Sequence, residues 1–358
     1  MKIGIIGLPK SGKTTIFNAL TGSEHPTEKY MPTHSEAYLG IVPVLDARIT
    51  KLTEIYKPKK TIYANIEYHD YPGIFSTEVD NPENTLFSDI KSMEGFALVI
   101  RNFPDSELEE LYGNQNPETQ LSRFEDEMII NDLIVSERRI EKIELGYKRG
   151  IRTATVQNEE RVLRAICAHL QDNRPIRDMT LLPEEEKAVR GFQFFSQKPM
   201  LILINVSEDN YNSQNDLKDR LAQRGYICEV IAARFEDELS KLDDEEAAMF
   251  MEDMGISESI KNRLSHLCYL LMGYLSFFTV GEDEVRAWTI TKGDNAVTAA
   301  GKIHSDLARG FIRAECFKYD DLILHGSEKV LKEKGLFKLE GKEYLVKDGD
   351  IISIRFNV

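Results

Sequence analysis

The chain has 358 residues, is 42% hydrophobic and carries a formal net charge of -15. Two or three domains fit that length, because single domains run roughly 100 to 200 residues. The sequence holds no run of about 18 apolar residues, which excludes a membrane-spanning helix, and the excess of carboxylates disfavours a surface coated in nucleic acid.

The first residues, Met1 to Gly7, are apolar but run into glycine and lysine without a signal-type segment, so they predict a buried strand in a cytoplasmic protein. Ile16, Phe17, Ala19 and Leu20 follow at helical spacing, completing a strand, a glycine-bearing loop and a helix over residues 2–22. Further strands are predicted at Gly40 to Val44, Ile62 to His69 and Ala97 to Arg101. The uninterrupted apolar run Leu201-Ile202-Leu203-Ile204 marks a strand covered on both faces, as parallel sheets require, and Tyr226 to Ala232 predicts the next.

Between these strands, from about Glu118 to Gly191, the chain is charged, with Met128, Ile129, Leu133, Ile140, Ile143 and Leu145 at mixed three and four spacing. A helical hairpin projecting from the sheet domain is the economical reading, with Arg138, Arg139, Lys142, Lys148, Arg149 and Arg152 near its tip. A helical connection is predicted over Glu245 to Leu275. Short strands then follow at Val285 to Thr289, Phe311 to Phe317, Leu336 to Lys338, Glu343 to Val346 and Ile351 to Phe356, with a helix at Ala296 to Ser305. From Ser276 onward thirteen Lys or Arg stand against fourteen Asp or Glu, so the negative excess lies before that point. Four cysteines, Cys167, Cys228, Cys268 and Cys316, lie far apart without a C-x-x-C pair, which suggests reduced thiols and neither a zinc site nor a disulfide framework.

Gly7-Leu8-Pro9-Lys10-Ser11-Gly12-Lys13-Thr14 satisfies G-x-x-x-x-G-K-[ST] in the context that motif needs, between an apolar strand and an amphipathic helix. Backbone N–H groups of such a loop, extended to Thr15, turn inward around phosphate oxygens, and the helix N-terminus adds partial positive charge. Lys13 is placed to reach the β and γ phosphates, and the Thr14 hydroxyl to ligate Mg²⁺. Asp70-Tyr71-Pro72-Gly73 fits D-x-x-G, in which the aspartate serves the metal's water shell and the Gly73 N–H meets the γ phosphate. Alone this is a common turn; paired with the phosphate loop it reads as the metal and γ-phosphate element. Ile74 stands where many GTPases carry a water-orienting glutamine, so intrinsic turnover is expected to be slow.

Guanine is read by N-K-x-D. Here the strand ending at Ile204 is followed by Asn205-Val206-Ser207-Glu208, without the lysine and with glutamate for aspartate. The phosphate loop, Gly40 to Arg48, this N-x-x-E box, Leu242-Asp243-Asp244-Glu245-Glu246, Gly281 to Thr289 and the closing Val346-Lys347-Asp348-Gly349-Asp350 to Val358 together resemble the Obg-like ATPase (YchF) family. That resemblance implies an α/β P-loop sheet of the G-domain type (residues 1–115 and 192–275), an inserted helical coiled-coil arm (116–191) and a C-terminal ubiquitin-like β-grasp or TGS domain (276–358).

It also implies binding of ATP in preference to GTP, with Asn205 and Glu208 facing the adenine, Val206 packing on it, and Ala232-Ala233-Arg234 forming the loop beside the base. Lys10 stands where the family carries asparagine, and its ammonium is a candidate tethered cation or simply a solvated lysine. At switch I the family threonine is replaced by His34, leaving the neighbouring Thr33 as the candidate metal ligand. The expected function is Mg²⁺-dependent ATP hydrolysis used as a switch, linked to the ribosome or RNA through the arm and the TGS domain. Two alternatives stay open: a docking module that binds nucleotide with little turnover, and a GTP-specific GTPase. His304 is expected to pack or cap rather than catalyse.

Overall fold

The computed structural model describes residues 1–27, 37–71, 89–106, 109–110 and 116–357. They form two compact units, one of Met1–Gly40 with Glu67–Ser257 and the other of Ile41–Ile66 with Glu258–Val358.

The first unit is built on a sheet with six strands among the described residues, in the order β2-β4-β1-β5-β6-β7. These are β1 (Lys2–Gly7), β2 (Tyr38–Pro43), β4 (Asn65–Asp70), β5 (Gly95–Asn102), β6 (Met200–Val206) and β7 (Ile227–Ile231). β1 runs parallel to β4 and β5, and β6 parallel to β5 and β7. Every residue of β6 is buried, which explains its continuous apolar sequence: a strand covered on both faces has no solvent side to alternate with. One face packs Leu98, Ile100, Ile202 and Ile204 against Leu121, Phe124 and Met128. On the chain's first turn, α1 (Lys13–Thr21) buries Ile16, Phe17, Ala19 and Leu20.

The predicted hairpin is present. α3 (Pro117–Lys148) starts with Pro117 at its first turn and with the Asn116 side chain accepting from the Thr119 N–H, and α4 (Ala154–Gln171) is capped in the same way by Thr153. Gly150 turns the chain between them at a φ of 83°, in the left-handed region where a Cβ is costly. Ile129, Ile140 and Ile143 of α3 meet Val162, Leu163, Ile166 and Leu170 of α4. Arg139 bonds Glu159 (2.7 Å) and Arg164 bonds Glu144 (2.6 Å), so part of the basic set at the tip is spent within the hairpin.

At the root of the arm, the buried Asp132 accepts from the N–H groups of Phe195 (3.0 Å) and Ser196 (2.7 Å). Burial outweighs these bonds and pushes the carboxyl up to about 6. An acid whose folded pKa is raised stabilises the fold most below its unfolded value, and that contribution is lost as pH rises through the folded one. Asp132→Ala is therefore expected to lower stability by about 2 kcal/mol through two stranded donors. The gap from wild type should widen as pH falls from 7 to 5, which denaturant titrations at the two pH values measure.

In the second unit the sheet has the order β11-β10-β12-β8-β9-β3. Its strands are β3 (Lys60–Ile62), β8 (Tyr274–Thr279), β9 (Glu284–Thr291), β10 (Phe311–Lys318), β11 (Lys338–Glu340) and β12 (Asp350–Phe356). Ala296, Ala299 and Ala300 of α10 (Ala296–Ile303) pack against Phe277, Ile290, Ala314 and Ile352, the helix-on-sheet arrangement of a β-grasp. His304 caps the following short helix, its Nδ1 accepting from the Asp306 N–H.

Four expectations need correction. The strand predicted over Ile62 to His69 is broken at Tyr63–Ala64, because β3 joins the second sheet and β4 the first. The helical connection stops earlier than predicted: α8 (Asp244–Asp253) and α9 (Ile260–Met272) are parted near Gly255, and Tyr274–Thr279 is strand β8. Glu343 to Val346 makes only the isolated bridge of Leu345 to Asn295.

Finally, residues 41–66, expected in the nucleotide domain, pack in the second unit. There α2 (Ala47–Tyr56) buries Ile49 and Leu52 among Phe278, Val285 and Phe317, β3 pairs with β9, and Arg48 bonds Asp46 and Asp348.

Candidate functional site

The loop from Gly7 to Gly12 joins the end of β1 to the start of α1. Gly12 has a φ of 99°, and a Cβ there would lie 2.2 Å from Nδ2 of Asn205, so both conformation and space require glycine. Lys10 also adopts a left-handed conformation, with a φ of 58°, and is exposed. Gly12 supplies no side-chain cap and the first turn of α1 holds no acidic residue. The leading N–H groups of α1 and their partial positive charge suit an anion.

Lys13 lies buried against the loop, its Nζ donating to the carbonyls of Gly7 (3.1 Å) and Leu8 (2.8 Å). Burial lowers its pKa to about 8, while the charge of Asp70 acts in the opposite direction. Asp70 arrives from β4, in register with Ile5 of β1. The Thr14 hydroxyl donates to its Oδ2 at 2.7 Å. Burial raises the Asp70 carboxyl above its usual range, against the pull of Thr14 and Lys13.

Oδ1 of Asp70 is buried without a hydrogen-bond partner among the described residues. A hard carboxylate oxygen left bare beside a threonine hydroxyl suits a divalent cation such as Mg²⁺. Among the described residues no group of three or more His, Cys, Asp or Glu gathers into a metal cage. Gly73 and Thr33, together with His34 and Ile74, lie outside the described residues.

The predicted base box lies at the end of β6 and the start of the turn that follows it. Asn205 is 4% exposed and uses both ends of its amide on the protein: Nδ2 donates to the Ser11 carbonyl (2.8 Å) and Oδ1 accepts from the Ala233 N–H (3.1 Å). It ties the phosphate loop to the start of the helix Ala233–Leu239 that follows β7. Val206 is 4% exposed and belongs to the core with Ile100 and Leu217. Ala232 and Ala233 are buried as well. Glu208, at the start of a 3-10 turn, and Arg234 are exposed.

Three neighbours escaped the sequence reading. The Asn18 side chain donates to the His25 carbonyl (2.8 Å) and accepts from its N–H (3.1 Å), and the His25 ring stacks on Tyr38 with centroids 3.9 Å apart. No motif spacing announces them, because the contacts join a helix, a loop and an edge strand.

Two family models match the chain: one described as a 50S ribosome-binding GTPase over residues 2–132, and YchF-GTPase_C, described as a protein of unknown function, over residues 274–357. The ribosome-binding ATPase YchF of Bacillus subtilis (strain 168) is 37% identical over 363 residues, covering 99% of each chain. Its namesake from Escherichia coli O157:H7 is 34% identical, covering 100% of this chain and 99% of that one. The solved structure of the Schizosaccharomyces pombe YchF GTPase superimposes with a TM-score of 0.82 at 28% identity, over 99% of this chain and 97% of the other.

Proposed function

The chain belongs to the YchF family, and from that membership we propose that it is a Mg²⁺-dependent nucleotide hydrolase that binds ATP in preference to GTP and serves as a cytoplasmic, ribosome-linked switch. The observation that carries the nucleotide reading is the convergence of Lys13, Thr14 and Asp70 under the uncapped start of α1. Lys13 and the α1 amides take the β and γ phosphates. Thr14 and Asp70 hold Mg²⁺, with Thr33 as the proposed further ligand. The metal, when bound, neutralises charge building on the phosphate oxygens. Asn205 holds Ser11 and Ala233 at a fixed separation, so the cradle is set before nucleotide arrives.

The ATP preference rests on Glu208, whose exposed carboxylate replaces the shorter aspartate of guanine-reading boxes. Glu208→Asp is expected to shift the ratio of ATP to GTP affinity toward GTP by about tenfold, the worth of one charge-assisted hydrogen bond. Competition against a fluorescent nucleotide measures it. A wild type that already prefers GTP sinks the ATP assignment.

Arg138, Lys142, Lys148 and Arg149 are exposed near the arm's tip and make no ion pair among the described residues, so they suit rRNA phosphates. Ile74 favours a second reading, in which nucleotide is held but scarcely hydrolysed. Steady-state turnover with and without ribosomes separates the two.

A further inference from the structure

We propose that Arg101 is a nucleotide-binding residue whose guanidinium donates to the ribose oxygens of the bound nucleotide; the inference rests on the nucleotide reading above.

Arg101 sits at the C-terminal end of β5, 9% exposed, and its Nη1 is buried with no hydrogen-bond partner among the described residues. Among the described residues its side chain meets the ring of Phe103, 6.0 Å from the guanidinium carbon. The backbone is fixed on both sides, since Gln120 accepts from the Arg101 N–H (2.9 Å) and donates to its carbonyl (2.8 Å). The backbone is thus held in place while Nη1 has no partner among the described residues.

Register tells which way that end leaves the sheet. Arg101 stands opposite Asn205 on the parallel neighbour β6, and residues in register on adjacent strands project to the same face. Asn205 projects to the phosphate-loop side, where it bonds Ser11, whereas Ile100, Ile204 and Val206 enter the core on the other face. Val99, two residues before Arg101, pairs with Gly7 at the start of the loop.

β5 lies between β1, which leads into the phosphate loop, and β6, which leads into the N-x-x-E box. A side chain at this strand end faces the interval between the triphosphate and the base, which the sugar fills. The position after Asn205 holds the core residue Val206, so no cation comes from that box. A buried guanidinium with an unpaired N–H costs stability, and a ligand that supplies the acceptor recovers the cost.

Calorimetric titration of the full-length protein with Mg·ATP, Mg·ADP and Mg·tripolyphosphate, beside thermal melts without nucleotide, tests the assignment. Arg101→Met keeps the length and apolar bulk of the side chain without its charge. It is expected to weaken ATP and ADP equally, by about tenfold to a hundredfold, to leave tripolyphosphate unchanged, and to leave the melting midpoint unchanged or raised. Arg101→Lys is expected to recover part of the loss, and it carries the test if the methionine variant does not fold. Unchanged ATP and ADP affinity in a folded variant overturns the proposal, as does an equal loss for tripolyphosphate. A lowered midpoint with wild-type affinity assigns Arg101 to structure alone. A wild type that binds no ATP defeats the nucleotide reading itself, a result distinct from wild-type binding that the substitution leaves intact.

Discussion

Lys13→Ala is expected to weaken Mg·ATP binding by at least about a hundredfold, because a cation with several charge-assisted bonds to phosphate is lost from a dry site. The structure makes this more specific than the motif does. The ammonium is buried and held by the Gly7 and Leu8 carbonyls, so it is positioned before any ligand arrives. Burial has already brought its pKa down to about 8. Keeping that charge out of water costs the empty protein, so the variant's melting midpoint without nucleotide should fall little, while nucleotide should no longer raise it. The lowered pKa adds a sign: between pH 7 and pH 9 the free protein loses this proton, and wild-type affinity should fall over that interval. Calorimetry at three pH values reads both effects. Equal affinity in wild type and Lys13→Ala would remove the phosphate site from consideration.

A fragment of residues 276–358 is expected not to fold by itself, although the family model for the C-terminal region spans residues 274–357. In the intact chain, Ile49 and Leu52 are fully buried beside Phe278 and Val285, and β3 closes the edge of β9. Removing two such side chains alone forfeits roughly 3 to 6 kcal/mol of apolar burial, comparable with the stability of a small domain. Polar anchors go too: Asp348 loses Arg48 (2.6 Å) and Glu328 loses Tyr56 (2.8 Å). Far-UV circular dichroism and amide dispersion in a proton–nitrogen NMR spectrum measure the outcome. Joining residues 41–66 to 258–358 through a flexible linker should restore a cooperative melt. If the short fragment gives a dispersed spectrum and a cooperative melt, the segment is dispensable.

What the sequence disclosed and what it concealed follow the range of the interactions involved. The phosphate loop was legible because a glycine-bearing turn between a strand and a helix is decided within a few residues. β5 and β6 were legible as strands, and the arm as three and four spacing; the capping residues at its helix starts emerged only with the structure. Asn205 could be found by motif, yet its employment on Ser11 and Ala233 is tertiary and nothing in the spacing reports it. Ile49 and Leu52 show ordinary helical amphipathicity, which says that one face is covered but not by what. β8 was hidden for the same reason, since a short apolar run directly after a helix reads equally well as more helix. Arg101 looked like the polar end of a strand, and only its burial sets it apart.

The route of the chain between its two units fixes which part of the molecule the carboxylate beside Thr14 is tied to along the backbone. The backbone quits the first unit after Gly40 and re-enters at Glu67, three positions ahead of Asp70. The carboxylate beside Thr14 thus belongs to a strand whose opening residues, Asn65 and Ile66, count with the second unit. Four peptide bonds separate Ile66 from Asp70, so the carboxylate beside Thr14 and the second unit share one short stretch of backbone.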